Sequence, residues 1–182
     1  MNSALFENET LRIVPFEKQH LTSQYVGWLN DPEVVQFSEQ RHTKHTIKSC
    51  ISYFNKQTIS NNLFLAIEFK SSNKTIQHLG NIGVFIDRKN AYGDLSILIG
   101  EKEFWGKGTA YKAIKGILPY LFEKEKLNLI SCGTASCNLG MIKVMEKLGM
   151  TPKMTFPDRF VINNRTHNLV QGWLKPSSII NK

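Results

Sequence analysis

The sequence predicts an α+β fold, a mixed but mostly antiparallel central sheet with helices on both faces. Three observations carry this. A glycine-punctuated turn, Trp105-Gly106-Lys107-Gly108-Thr109-Ala110, joins an apolar strand to a strongly periodic helix. Three strand-like segments precede it, separated only by turns, which makes an antiparallel meander. Helical patterns stand on either side of that meander in the chain.

The elements follow in order. Leu11-Arg12-Ile13-Val14 reads as a short strand closed by Pro15. A helix is expected near Glu17 to Leu29, carrying Leu21, Tyr25 and Trp28 and ending before Asn30-Asp31-Pro32. A second is expected over Thr46 to Phe54, with Ile47, Cys50, Ile51 and Phe54 at helical spacing. Glu33 to Thr43 between them is polar and irregular, as a mouth or lid would be. Leu63 to Ile67 is a strand, followed by a loop at Ser71-Ser72-Asn73-Lys74. His78 to Ile86 is a strand broken by Gly80 and Gly83, and the turn Asp87 to Gly93 leads to a third strand, Asp94 to Gly100.

The helix after the glycines places Ala110, Ala113, Ile114, Ile117, Leu118, Leu121 and Phe122 in one wide apolar stripe. Pro119 within it removes a backbone hydrogen bond and is expected to bend or shorten it. A strand at Leu127 to Cys132 and a helix at Asn138 to Leu148, closed by Gly149, come next. The chain finishes with a hairpin of Phe160–Ile162 and Leu169–Trp173 around Asn163-Asn164. Residues 1–176 are expected to be one domain, with 177–182 a tail.

Composition narrows the function. At 182 residues, with 41% hydrophobic and 21% charged residues, the chain is an ordinary globular domain. Its net charge of +8 favours an anionic ligand or partner. The lysines are scattered, and no arginine-rich or RNA-binding signature appears, so nucleic acid is not expected. Three cysteines without a CxxC spacing argue for reduced thiols rather than zinc or disulfides. No signal peptide is visible, and no apolar run approaches the ~20 residues that span a bilayer, so a cytoplasmic location is expected.

The glycine turn is a phosphate-gripping device. Successive amides can point at one anion, the helix N-terminus adds partial positive charge, and Lys107 adds a full one. With Leu95-Ser96-Ile97-Leu98-Ile99-Gly100 before it, and Asn138 with Val144-Met145-Glu146-Lys147-Leu148-Gly149-Met150 after it, the chain resembles the GNAT family of N-acetyltransferases. Trp28-Leu29-Asn30-Asp31-Pro32 is similar to the opening of the branch holding ribosomal-protein N-terminal (Rim-type) and spermidine acetyltransferases.

The resemblance implies acetyl-CoA as acyl donor and no metal. The pyrophosphate would lie on the amides of Trp105, Gly106, Lys107, Gly108, Thr109 and Ala110. The pantetheine arm would run along Ile97, Leu98 and Ile99 where a bulge splays two strands. Asn138 would hold it from the far side, and Lys143 would add charge near the adenosine phosphates. A backbone N–H at Leu98–Ile99 is the implied oxyanion donor and Asp94 the implied proton acceptor. Trp28 and Arg41, with His42 and His45, border the implied acceptor site.

Three positions depart from the family. Trp105 stands where the family's turn has Gln or Arg, which costs a side-chain contact but not the backbone N–H. Met141 stands where the ribosomal-protein branch has serine, and Met145 where other members have a tyrosine acid; neither donates a proton. Either Tyr111, Ser136 or a water serves instead, or the thiolate leaves unassisted and is protonated afterwards. The acceptor is either a small primary amine, such as a polyamine or an amino sugar nucleotide, or a protein N-terminus. A non-catalytic acyl-CoA-binding domain is a further alternative, and a homodimer is allowed.

Overall fold

The computed structural model describes residues 4–73 and 75–177. Lys74 of the expected loop, and all but the first residue of the expected tail, lie outside them. Eight strands form one sheet in the order β1-β2-β3-β4-β5-β6-β8-β7. They are β1 (Phe6–Glu7), β2 (Leu11–Pro15), β3 (Leu63–Lys70), β4 (Ile76–Asp87), β5 (Tyr92–Ile99), β6 (Leu129–Ala135), β7 (Lys153–Ile162) and β8 (Arg165–Leu174). All neighbours pair antiparallel except β5 and β6. Four helices complete the fold: α1 (Ser23–Asn30), α2 (Ile47–Thr58), α3 (Thr109–Glu123) and α4 (Leu139–Lys147).

Strand alternation divides the core in two. Ile13, Leu65, Ile67 and Ile82 pack with Ile114, Ile117, Leu121 of α3 and Met145 of α4. Val14, Phe64, Ala66 and Leu98 face the other way and pack with Tyr25, Trp28 and Leu29 of α1 and Cys50 and Phe54 of α2. Helices therefore cover both faces. Among the described residues, no helix is long and apolar enough to cross a membrane.

Local chemistry explains where the elements depart from the sequence reading. The single helix expected from Glu17 to Leu29 is two pieces, a 3-10 turn at Lys18–His20 and then α1. His20 Nδ1 accepts the Glu17 N–H at 2.9 Å and the Thr22 hydroxyl accepts the Tyr25 N–H at 3.1 Å. Each side chain takes a donor that a continuous helix would have used, and Thr22 starts a new one.

The strand β4 is continuous through Gly80 and Gly83 rather than broken. Gly80 is needed because a Cβ there would stand 2.0 Å from the Leu98 carbonyl oxygen. Pro119 does not shorten α3, which runs on to Glu123. The two-residue strand β1 has no sequence signal; it is positioned by Phe6, whose ring occupies the space a Cβ on Gly116 of α3 would take. At the last hairpin Asn163 and Asn164 both have positive φ, 51° and 59°, as a tight type I′ turn requires.

Gly100 closes β5 beneath Trp28, whose ring atoms would lie 2.0–2.4 Å from an added Cβ. Gly100→Ala is expected to destabilise the protein by about 1–3 kcal/mol through overpacking. Urea unfolding followed by tryptophan fluorescence checks this; an unchanged midpoint counts against it.

Candidate active site

The parallel pair β5–β6 holds register only over Tyr92↔Leu129 to Leu95↔Cys132. Beyond that β5 continues to Ile99 and β6 to Ala135, unpaired with each other. A cleft opens between them, with one strand edge left without a partner. No bulge in β5 makes it, contrary to the family-based expectation. The register with β4 is unbroken along β5, and the one irregularity nearby is in the β3–β4 pairing, at Leu79 of β4.

Alternation decides which amides face the cleft. The Leu98 carbonyl is aimed at Gly80 of β4, and the Gly100 N–H donates to Leu79 O of the same strand at 2.8 Å. The Leu98 N–H therefore faces β4 too, which corrects its reading as oxyanion donor. Ile97 and Ile99 have the opposite parity and present their amides to the open edge.

At the end of β5 the chain makes a 3-10 turn at Lys102–Phe104, and the glycine turn follows. Gly106 and Gly108 have φ of 71° and 75°, and open space surrounds both, so it is backbone conformation that calls for glycine there. Gly108 is the N-cap of α3 and no side chain caps it. Among the described residues none of the amides from Gly106 to Tyr111 finds an acceptor, whereas the Thr109 hydroxyl donates to Phe104 O at 3.0 Å. A row of unmet donors at a helix N-terminus fits a pyrophosphate. The Trp105 indole lies against the open edge of β5, its Nε1 donating to Ile99 O at 2.8 Å. The Lys107 ammonium lies over the Phe104 ring, 5.7 Å from its centre.

Across the cleft, Asn138 caps α4. Its Oδ1 accepts the Met141 N–H at 3.2 Å and its Nδ2 donates to Thr134 Oγ1 at 2.9 Å. Lys143 is exposed on the same helix. Met145 is fully buried and belongs to the core, so that position holds no proton donor for the cleft.

A cavity of about 240 Å³ lies between β5 and the α1–α2 layer. Ser96, Ile97 and Leu98 form one wall, Asn81, Gly83 and Phe64 the floor, and Tyr25, Gln40, Thr43, His45, Cys50 and Tyr53 are among the residues of the opposite side. Burial pushes the pKa of Tyr25, Tyr53 and Cys50 up and so suppresses their ionisation, and all three stay neutral.

The residues named from sequence are distributed unevenly around this cavity. Trp28 is 6% exposed, donates to Glu101 Oε1 at 3.1 Å and does not line it. Its reading as a substrate residue is replaced by a packing role. Arg41 and His42 line a neighbouring cavity against β7 and the Asn163 turn; the guanidinium donates to Ser38 O at 2.8 Å and lies over the Phe160 ring. Asp94 is outside both cavities. It accepts a short hydrogen bond from Ser131, whose hydroxyl also meets Tyr92 OH at 2.5 Å. Asn81, Ser96, Gln40 and Tyr53 escaped the sequence reading. For Asn81 a signal existed, the one polar side chain in the stretch Leu79 to Ile86 of β4.

A family model for an acetyltransferase (GNAT) domain matches residues 10–151. The chain belongs to the GNAT acetyltransferase family. Comparison with curated proteins gives no match. Among solved structures this GNAT chain is similar to spermidine N-acetyltransferase from Vibrio cholerae in complex with CoA and spermine, with a TM-score of 0.82 and 20% identity over 96% of this chain and 100% of that one. It is similar also to a GNAT acetyltransferase from Bacillus anthracis, with a TM-score of 0.76 and 19% identity over 93% and 97% of the two chains. At these identities the likeness is one of fold. The fold is thus common ground, while acceptor chemistry rests on this chain's own residues.

Proposed function

We propose that this acetyltransferase moves the acetyl group of acetyl-CoA to a primary amine of a small molecule. The observation that carries it is the path set by one strand–turn–helix stretch, with the cavity at Ser96–Leu98, the open edge of β5 and the unmet amides of Gly106–Tyr111 in succession along it. That path fits a long ligand with a pyrophosphate at one end and a reactive group at the other. Acetyl-CoA supplies an activated thioester.

The chain's residues meet three needs. The turn binds phosphate, and Asn138 retains one Nδ2 hydrogen for the pantetheine side. The open-edge amides of Ile97 and Ile99 are placed to stabilise charge on the carbonyl oxygen. The cavity takes the amine out of water as the neutral nucleophile. In the transfer an N–C bond forms, the C–S bond breaks, and the proton leaving nitrogen ends on the thiol. With methionine at positions 141 and 145, that proton travels through water or a hydroxyl at the cleft mouth.

Spermidine acetylation by the Vibrio relative supports a small-molecule acceptor. A protein N-terminus, as in the Rim-type branch, is the second reading. Residues 1–176 act as one catalytic domain, and three free thiols fit a reducing cytoplasm. Calorimetry with CoA and release of thiol from acetyl-CoA in the presence of an amine panel test the proposal. Binding with release is the expected result; binding without release by any amine would leave an acyl-CoA-binding domain, and no binding refutes both.

A further inference from the structure

We infer that the acceptor is a monoamine on an uncharged, hydroxyl-bearing body, the chemistry of an amino sugar, and that Asn81 receives its amine. The inference rests on the proposed acetyl transfer and names the substrate class of that site.

The lining carries the argument. Among the described residues no Asp, Glu, Lys or Arg lines the cavity beside β5. A polyamine carries two or more ammonium groups at neutral pH, and each one beyond the reacting nitrogen needs a carboxylate when taken out of water. This cavity offers none. The carboxylates nearest in sequence to its lining are engaged elsewhere: Glu39 with Arg41 at 3.4 Å, Asp31 with Lys102 at 2.8 Å, and Asp94 with the Ser131 hydroxyl. A phosphate or carboxylate on the acceptor meets no lysine or arginine inside the cavity, and the His45 ring there is engaged by Gln40 O at 3.3 Å. What the walls do present is hydrogen-bonding capacity without charge, from Ser38, Gln40, Thr43, Ser49 and Ser96, beside the aromatic faces of Tyr53 and Phe64. The phenols of Tyr25 and Tyr53 hold their protons, so they add donors rather than charge. Aromatic faces with hydroxyl and amide edges suit a polyhydroxylated ring.

Asn81 fixes where the amine sits. It lies directly across from Leu98 in the β4–β5 ladder, beside the two residues whose amides face the cleft. Its Oδ1 is buried and has no hydrogen-bond partner. A buried acceptor left unmet is costly, and the residue that carries it lines the cavity. A neutral primary amine has two N–H donors and one lone pair. Donating one N–H to Oδ1 holds the nitrogen at β5 and leaves the lone pair for attack.

Steady-state thiol release with a panel of free hexosamines, spermidine, spermine and a Ser-Ala dipeptide tests this, using the full chain. The expected result is a kcat/KM for the best hexosamine at least tenfold above that for spermidine or the dipeptide. Asn81→Ala should raise the hexosamine KM roughly tenfold, the effect of one lost hydrogen bond in a buried site, with the acetyl-CoA KM unchanged. Asn81→Asp should shift the ratio toward spermidine by supplying the missing carboxylate. Spermidine or dipeptide turnover equal to or above that of every hexosamine overturns the inference while leaving acetyl transfer standing, as does an Asn81→Ala enzyme with unchanged acceptor KM. Calorimetric CoA binding without thiol release from any amine removes the transfer reading itself, and this inference with it.

Discussion

A Gly108→Val protein is expected to fold and to lose most of its affinity for CoA. Gly108 has a φ of 75° and begins α3 with no capping side chain. An L residue in that region costs about 1–2 kcal/mol, and a β-branched one more, so the turn relaxes toward negative φ. That rotation swings the amides of Gly106 through Tyr111 out of a common focus. Misaligning one or two charge-assisted donors, each worth about 1.5–3 kcal/mol, weakens binding at least tenfold. Calorimetry with CoA reads the affinity and circular dichroism reads the fold. Lys89→Ala, on the distant β4–β5 turn, should leave both unchanged. Wild-type affinity in a folded Gly108→Val protein would mean that phosphate is held elsewhere.

Acid is expected to destabilise the protein strongly between pH 6.5 and 4, through a buried network under the β3–β4 bulge. Glu68, 4% exposed, accepts from His20 Nε2 at 3.1 Å and from Arg12 Nη1 at 3.1 Å. The His20 hydrogen bond, chiefly, holds the Glu68 carboxyl below its usual range, with Arg12 adding to the effect. His78 is packed against Phe16, His20, Tyr25 and Trp28, its Nε2 donating to Gly80 O at 2.9 Å while its Nδ1 is buried without a partner. Burial, reinforced by His20, lowers His78 to about 4.

Both groups act with the same sign. As pH falls through 6.5 the unfolded chain takes up a proton that folded His78 refuses, and stability drops by about 1.4 kcal/mol per unit until His78 charges, about 3 kcal/mol in all. Glu68 adds its loss at lower pH, since a depressed carboxyl stabilises the fold above its unfolded value and ceases to as it is protonated. Urea unfolding at pH 7 and at pH 4.5 measures the difference. His78→Phe should flatten it by removing the titrating ring while keeping the aromatic stack, and an unaltered pH difference in that variant would refute the assignment. At pH 7, Glu68→Ala should cost about 3–5 kcal/mol, because it strands His20 and part of Arg12 without their partner.

Much of this was legible in the chain, for local reasons. Thr46, Asn138 and Gly149 mark helix ends by chemistry that acts within a few residues, and Asn163-Asn164 specifies its hairpin in the same way. The glycine turn was readable because a positive φ leaves its mark on residue type. Trp28 and Asp94 were assigned from position alone and fared differently. Trp28 is drawn into the core by Gly100, 72 residues away, and Asp94 is held by Ser131, its neighbour across the parallel pair. Glu68 and His20, 48 residues apart, showed no common pattern.

The sequence by itself determined the family, the donor grip at Gly106–Gly108 and the layout of strands and helices, since periodicity, capping and backbone conformation are local properties. Only the tertiary structure decided which edge of β5 is open, which amides it offers, and that among the described residues no carboxylate lines the cavity beside Asn81. Those depend on the parity of strand pairing and on which distant side chains meet in space, and a one-residue change of register would alter every one of them.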